Sequence, residues 1–164
     1  MGAGKSSVGR ALANRTGLPL FDIDELVTAR LGVSIAEIFA RDGEEGFREA
    51  ETAELAQLPR AAAVIVTGGG IVLRSQNVAA LQRLGIVVHL TADEATLYER
   101  AMRRPTRPLL QAENPRERFT HLLRVRAPLY DAAANASVVT SALRHEEVVD
   151  AVLEELARVR RRAN

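Results

Sequence analysis

The chain has 164 residues, 47% of them hydrophobic, a net charge of +1 and no cysteine. That size suits one domain around one core. The missing thiols exclude disulfides and thiolate metal sites, and the near-neutral balance gives no reason to expect a nucleic-acid partner. No apolar run reaches the length of a membrane span and no cationic-then-apolar leader pattern is present, so a cytoplasmic enzyme without membrane association is expected.

The residues from Lys5 to Thr16 carry an apolar stripe at helical spacing and meet a stop at Gly17. LPLFDID then reads as a short buried strand that ends in Asp22 and Asp24, and Asp24 is placed to cap the helix ELVTARLG. Ser34 and Glu37 fit a capping box opening IAEIFARDG, and a longer helix, EEGFREAETAELAQL, stops at Pro59. AAVIVTGGG is a continuous apolar run closed by three glycines, the pattern of a strand buried on both faces. SQNVAALQRLG is a helix, IVVHL a strand and DEATLYERAMRR a helix. RPTRPLLQAENP breaks regular structure with its prolines. RERFTHLLRVRAPLYDAA is a helix interrupted or ended near Pro128, ASVVT a last strand, and HEEVVDAVLEELARVRR a closing helix whose basic end suits the dipole. Four strands alternating with helices predict a parallel sheet covered on both faces, with the active site at the carboxyl ends of the strands.

Of the 22 basic residues all but one are arginine, and the exception is Lys5, between Gly4 and Ser6. A lysine is a compact point charge where arginine is a wide fork, so a site needing a small cation beside a phosphate oxygen would keep it. One surface lysine surviving by chance is the plain alternative, and its neighbours weigh against it. MGAGKSS supplies the second half of the phosphate loop G-x-x-x-x-G-K-[ST], and a helix follows at once, as the mechanism requires. Backbone N–H groups would cradle phosphate oxygens, Lys5 would reach the outer phosphates and Ser6 would ligate magnesium. If the strand continues, Asp22 and Asp24 point to opposite faces, one towards a metal and one towards a second substrate. A turn aspartate plus a helix cap explains the pair equally simply. TGGG puts three small residues where backbone passes close to another group. Position alone does not separate Arg48, Arg107 and Arg126 from the other arginines. His89, inside an apolar strand, reads as a satisfied core residue, and His121 and His145 lack metal-ligand spacing.

MGAGKSSVGRALA, FDID, SIAEIFARDGEEGFREAE, TGGG, RPLL and RAPLY together resemble shikimate kinases in order and spacing, from Met1 to about Leu156. The resemblance implies an α/β, three-layer αβα P-loop kinase fold of the nucleoside-monophosphate-kinase type. The family's parallel sheet has five strands, of which four are visible here. It implies a single domain over 1–164, with substrate-binding helices at about 24–59 and a lid at about 103–116. The implied reaction moves the γ-phosphoryl group of ATP to the 3-hydroxyl of shikimate, on the way to chorismate and the aromatic amino acids, with Mg2+ as the metal and a monomer as the working unit.

By the same resemblance Gly2, Ala3, Gly4, Lys5, Ser6 and Ser7 form the nucleotide loop, with Ser6 as the metal ligand and Asp22 holding the metal through water. Asp24 grips the shikimate hydroxyls and helps deprotonate the attacking one. Arg48 and Arg126 clamp the shikimate carboxylate, Gly69 and Gly70 meet the substrate, and Phe39 and Phe47 wall its pocket. Arg107 is similar to a lid arginine that closes on the phosphates, and Arg100 to a residue that stacks on adenine. Planar bidentate cations for a carboxylate, and a lid that excludes water, are what phosphoryl transfer to such a substrate asks for.

The first strand and first loop glycine of the family have no counterpart in these residues. A central strand missing from a sheet leaves backbone groups unpaired on both neighbours, at about 1–3 kcal/mol each against a total stability of roughly 5–15 kcal/mol. The expectation is therefore that Met1 is an internal methionine about ten residues into the natural protein, and that a chain starting there folds weakly with little activity. Two other readings stay open: a non-catalytic effector-binding domain behind a DNA-binding module, and another small-metabolite kinase of the same fold, such as a gluconate kinase. The full set of Asp24, Arg48, Arg126 and the RPLL lid argues against the first, and the Arg48/Arg126 pair with RAPLY against the second.

Overall fold

A computed structural model of the protein describes residues 1–103, 108–110 and 113–163. Gly4, at φ 83°, turns the chain into α1 (Lys5–Thr16), and Gly17, at φ 69°, ends it. Strand β1 (Leu20–Asp22) runs straight into α2 (Ile23–Leu31). The strand is shorter than LPLFDID suggests, because the Asp22 side chain accepts the Asp24 N–H at 3.1 Å and starts the helix there. Asp22, not Asp24, is thus the cap, and Asp24 lies in the first helical turn, so strand alternation no longer governs where it points.

Helix α3 (Ile35–Gln57) opens with the expected capping box, Ser34 N–H donating to Glu37 at 2.8 Å. Its two predicted halves join at Gly43, whose φ of 72° and ψ of −175° break the helical path. There follow β2 (Val64–Val66), a 3-10 turn at Ile71–Leu73, α4 (Ser75–Leu84), β3 (Val88–Thr91), α5 (Glu94–Met102), a 3-10 turn at Pro108–Leu110, α6 (Pro115–Ala133), β4 (Ala136–Val139) and α7 (His145–Ala163). Helix α6 runs through Pro128 instead of stopping there. The carbonyl that the proline leaves without its N–H belongs to Arg124, and both residues are exposed, so water can satisfy it.

All strand pairing is parallel, as expected, but it forms two ladders in place of one four-stranded sheet. β1 pairs with β2, Leu20 opposite Val64, and β3 with β4, Val88 opposite Ala136. No strand precedes the phosphate loop in these residues, so β2 and β3 each have one strand neighbour among the described residues. Each ladder has its own apolar cluster. Val8, Leu90, Leu97, Phe119, Val138, Val149 and Val152 pack around β3 and β4. Ile23, Val27, Ile38, Phe47, Leu55 and Ile71 gather beside β1 and β2, where Ile65 packs against them. Helix α1 ties the two together. Val8 enters the first cluster, while Gly9 sits so close to Val66 that a side chain there would overlap it. No described helix is long and apolar enough to cross a membrane.

Candidate active site

Beyond the Gly43 kink, Glu44, Phe47, Arg48 and Glu51 follow at spacings of three and four, so α3 presents them on one face. That face is buried: Arg48 is 4% exposed and Glu51 wholly enclosed. Arg48 donates through Nη1 to Glu51 and through Nη2 to Glu44 Oε1 at 2.8 Å. Helix α6 brings Arg126, also 4% exposed, to the same Glu44 oxygen, with Nη2 at 3.6 Å. Two guanidiniums from distant parts of the chain therefore share one carboxylate. Burial works against the charge of Arg48, but Glu51 and Glu44 outweigh it and raise its pKa. Burial also pushes the Glu51 carboxyl up, against the pull of Arg48 and with a further push from Asp24. Phe47 lies under the Arg48 guanidinium, 5.3 Å from it, and packs on Phe39 at 5.1 Å between ring centres.

The three glycines after β2 each face a different polar side chain. A Cβ on Gly68 would sit 2.8 Å from Glu51 Oε1 and 2.9 Å from Asp24 Oδ1. One on Gly69 would meet the Tyr130 hydroxyl at 2.9 Å, and one on Gly70 would overlap the Arg48 guanidinium. The triplet is small because carboxylates, a phenol and a guanidinium occupy the space side chains would need. Tyr130 fixes the turn by donating to the Gly69 carbonyl at 2.6 Å. Its phenol is pushed up by burial, against the pull of Arg126 and Arg48.

The phosphate loop adjoins this cluster. Gly2, at φ 77°, packs so tightly on the Leu97 carbonyl of α5 that no side chain would fit, and Ala3 is buried in the core. Lys5 and Ser6 open α1 half-buried and Ser7 is exposed, with the helix N-terminus beside them. His89 on β3 links the two halves. Its ring stacks on Tyr130 at 4.9 Å, and burial lowers its pKa, helped by the Lys5 ammonium and opposed by Asp131. The reading of His89 as a satisfied core residue does not hold. It is half-buried, its Nδ1 makes no hydrogen bond among the described residues, and Asp131 is 3.8 Å away.

Asp24, Arg48, Arg126, Gly69, Gly70, Phe39 and Phe47 thus share one neighbourhood, and the Lys5 ammonium is near enough to lower the pKa of His89 beside it. Arg100 stands apart, donating to the Thr140 hydroxyl at 2.9 Å and carbonyl at 3.1 Å beyond β4. Arg107 lies outside the described residues, as does part of the expected lid. Glu44, Glu51 and Tyr130 belong to the site as well, although no role for them is expected from the sequence. Glu44 and Glu51 were within reach, standing four before and three after Arg48 on a predicted helix. Tyr130 was not, because its contact with Gly69 spans 61 residues. Chemically, the cluster offers a paired cation for a planar anion, with a carboxylate and backbone beside it, next to a helix N-terminus suited to phosphate.

Comparison with known proteins bears on the chain as a whole. The family model described as shikimate kinase matches residues 1–157. A shikimate kinase of Thermodesulfovibrio yellowstonii is 41% identical over 97% of this chain and 92% of its own length. One of Ralstonia nicotianae is 45% identical over 95% and 83%. The solved structure of Acinetobacter baumannii shikimate kinase in complex with shikimate superposes with a TM-score of 0.87 at 36% identity, covering 94% of this chain and 87% of that one. With the buried arginine pair, the glycine turn and the lysine-bearing loop in place, these likenesses establish that the chain belongs to the shikimate kinase family.

Proposed function

We propose that this chain transfers the γ-phosphoryl group of ATP to the 3-hydroxyl of shikimate, giving shikimate 3-phosphate for aromatic amino acid biosynthesis. The observation that carries the reading is the convergence of Arg48 and Arg126 on one carboxylate oxygen beside the glycine turn. A substrate carboxylate held by this pair would lie close to Gly70, which abuts Arg48, with Asp24 beside Gly68 of the same turn. Asp24 then accepts hydrogen bonds from the ring hydroxyls and takes the proton of the attacking one. Phe39 and Phe47 supply the apolar wall.

On the donor side, the backbone of Gly2, Ala3 and Gly4 and the first turn of α1, with Ser6 and Ser7, receive the phosphates, and Lys5 neutralises the terminal one. Arg107 closes over them and Arg100 holds the adenine. The Ser6 hydroxyl and Asp22 carboxylate are hard oxygen donors, and Mg2+ binds through one or two protein oxygens plus phosphate and water, so these residues fit it. When bound, that ion neutralises charge on the phosphate oxygens. A monomer is the working unit in this reading, and an ATP-consuming step suits the cytoplasm.

The test is ADP release and product mass with shikimate, with gluconate and with neither, on this chain and on one extended upstream. Release that depends on shikimate, with a product one phosphate heavier, is expected. Release indifferent to shikimate, or equal with gluconate, overturns the reading. Shikimate binding without turnover in either chain points to the sensor.

A further inference from the structure

The carboxylate clamp is already holding a carboxylate, and it belongs to the protein. Glu44 Oε1 lies 2.8 Å from Arg48 Nη2 and 3.6 Å from Arg126 Nη2, the bridging position a bound acid would take. Two buried guanidiniums need anions near them. Glu51 is one, but it is enclosed and committed to Arg48 through Nη1. Glu44 differs: its side chain is 39% exposed. It also directly follows Gly43, a residue at φ 72° with nothing within 4 Å of where its Cβ would be. It can move into water without unmaking the core, whereas Glu51 cannot.

We propose that Glu44 is a specificity-determining residue, an internal carboxylate that occupies the Arg48–Arg126 clamp and yields it to a substrate bearing a carboxylate. The exchange conserves charge. One anion leaves for solvent as another arrives, so the buried cations are never left uncompensated. A neutral ligand cannot make the exchange, because displacing Glu44 would strand Arg126 beside an uncharged group. The clamp thereby rejects uncharged polyols by more than the contacts they fail to make. The arrangement also has a cost in affinity. The fraction of time Glu44 holds the clamp is subtracted from the competent state, and apparent affinity falls by that fraction.

The inference rests on the clamp reading, and the experiment separates the two. Shikimate and its analogue with the carboxylate reduced to an alcohol are titrated calorimetrically into the unaltered chain, E44Q, E44A and R126A. E44Q keeps the size of the side chain, so it serves if E44A loses the fold. Removing Glu44's charge is expected to tighten shikimate binding by roughly three- to tenfold. It should also shrink the preference against the alcohol, which then binds without displacing a charge. Unchanged or weaker shikimate binding in E44Q overturns the proposal and shows Glu44 to be a structural partner of the arginines. Unchanged shikimate binding in R126A strikes instead at the clamp itself.

Discussion

Arg48 lays its guanidinium against the bare α-carbon of Gly70, closer than a methyl group would allow. Gly70 has φ −91°, an ordinary value for any residue, so the restriction on its side chain is steric and not conformational. Arg48 cannot step aside, because Glu51 and Glu44 hold two of its nitrogens.

Gly70→Ala is accordingly expected to displace the clamp. Forcing an extra methyl into a filled interior costs about 1–3 kcal/mol, so thermal unfolding should shift down. The KM for shikimate should rise, with the KM for ATP little changed. A variant with unaltered melting and unaltered shikimate KM would show that the guanidinium does not rest there.

Arg126→Ala removes half of the paired cation and should weaken shikimate far more than ATP. Hydrogen bonds to charged groups are worth about 1.5–3 kcal/mol, which corresponds to roughly ten- to a hundredfold in affinity. Arg126→Lys, a point charge in place of a fork, should recover only part of it. Separate KM values for the two substrates decide the matter, and equal losses for both would contradict a carboxylate clamp.

Lys5→Ala should abolish turnover, by about a thousandfold or more if the ammonium neutralises charge that develops in the transition state. Stability should change little, since Lys5 is only half-buried at the start of α1. An independent signal is available, because the ammonium helps hold the His89 pKa down. The variant's His89 ring should titrate closer to its ordinary value by NMR, and an unmoved titration would separate Lys5 from His89.

His89 makes stability depend on pH. Burial and Lys5 lower its folded pKa below 6.5, Asp131 opposing. Between the folded and unfolded pKa values the unfolded chain binds the extra proton, so stability rises with pH through that window. Acidification below about pH 6.5 should therefore lower the melting temperature. His89→Phe, which keeps a ring to stack on Tyr130, should flatten that slope. If the slope persists, other groups carry it.

The phosphate loop, the Ser34–Glu37 box and the alternation of strands and helices were legible because each depends on neighbours a few residues apart. The Asp22 cap lies within the same range, yet the pattern points equally to Asp24, because a side chain accepting an N–H two residues on competes with continuing the strand. Pro128 suggests an interruption or an end because sequence does not show that the carbonyl it orphans faces solvent. The two separate ladders follow from the family's central strand having no counterpart in these residues, which leaves β2 and β3 one strand neighbour each among the described residues.

The sequence by itself determined the family, the chemistry of the loop and the residue types able to hold a phosphate and an acid, because these rest on side-chain identity and short spacing. The resemblance already names Arg48 and Arg126 as a pair, and the tertiary structure adds what joins them, a Glu44 oxygen reached from two helices far apart in the chain. Only the tertiary structure decided why three glycines are needed after β2. A glycine's worth lies in what fills the space beside it, and here that is Asp24, Glu51, Tyr130 and Arg48, brought in from three different helices.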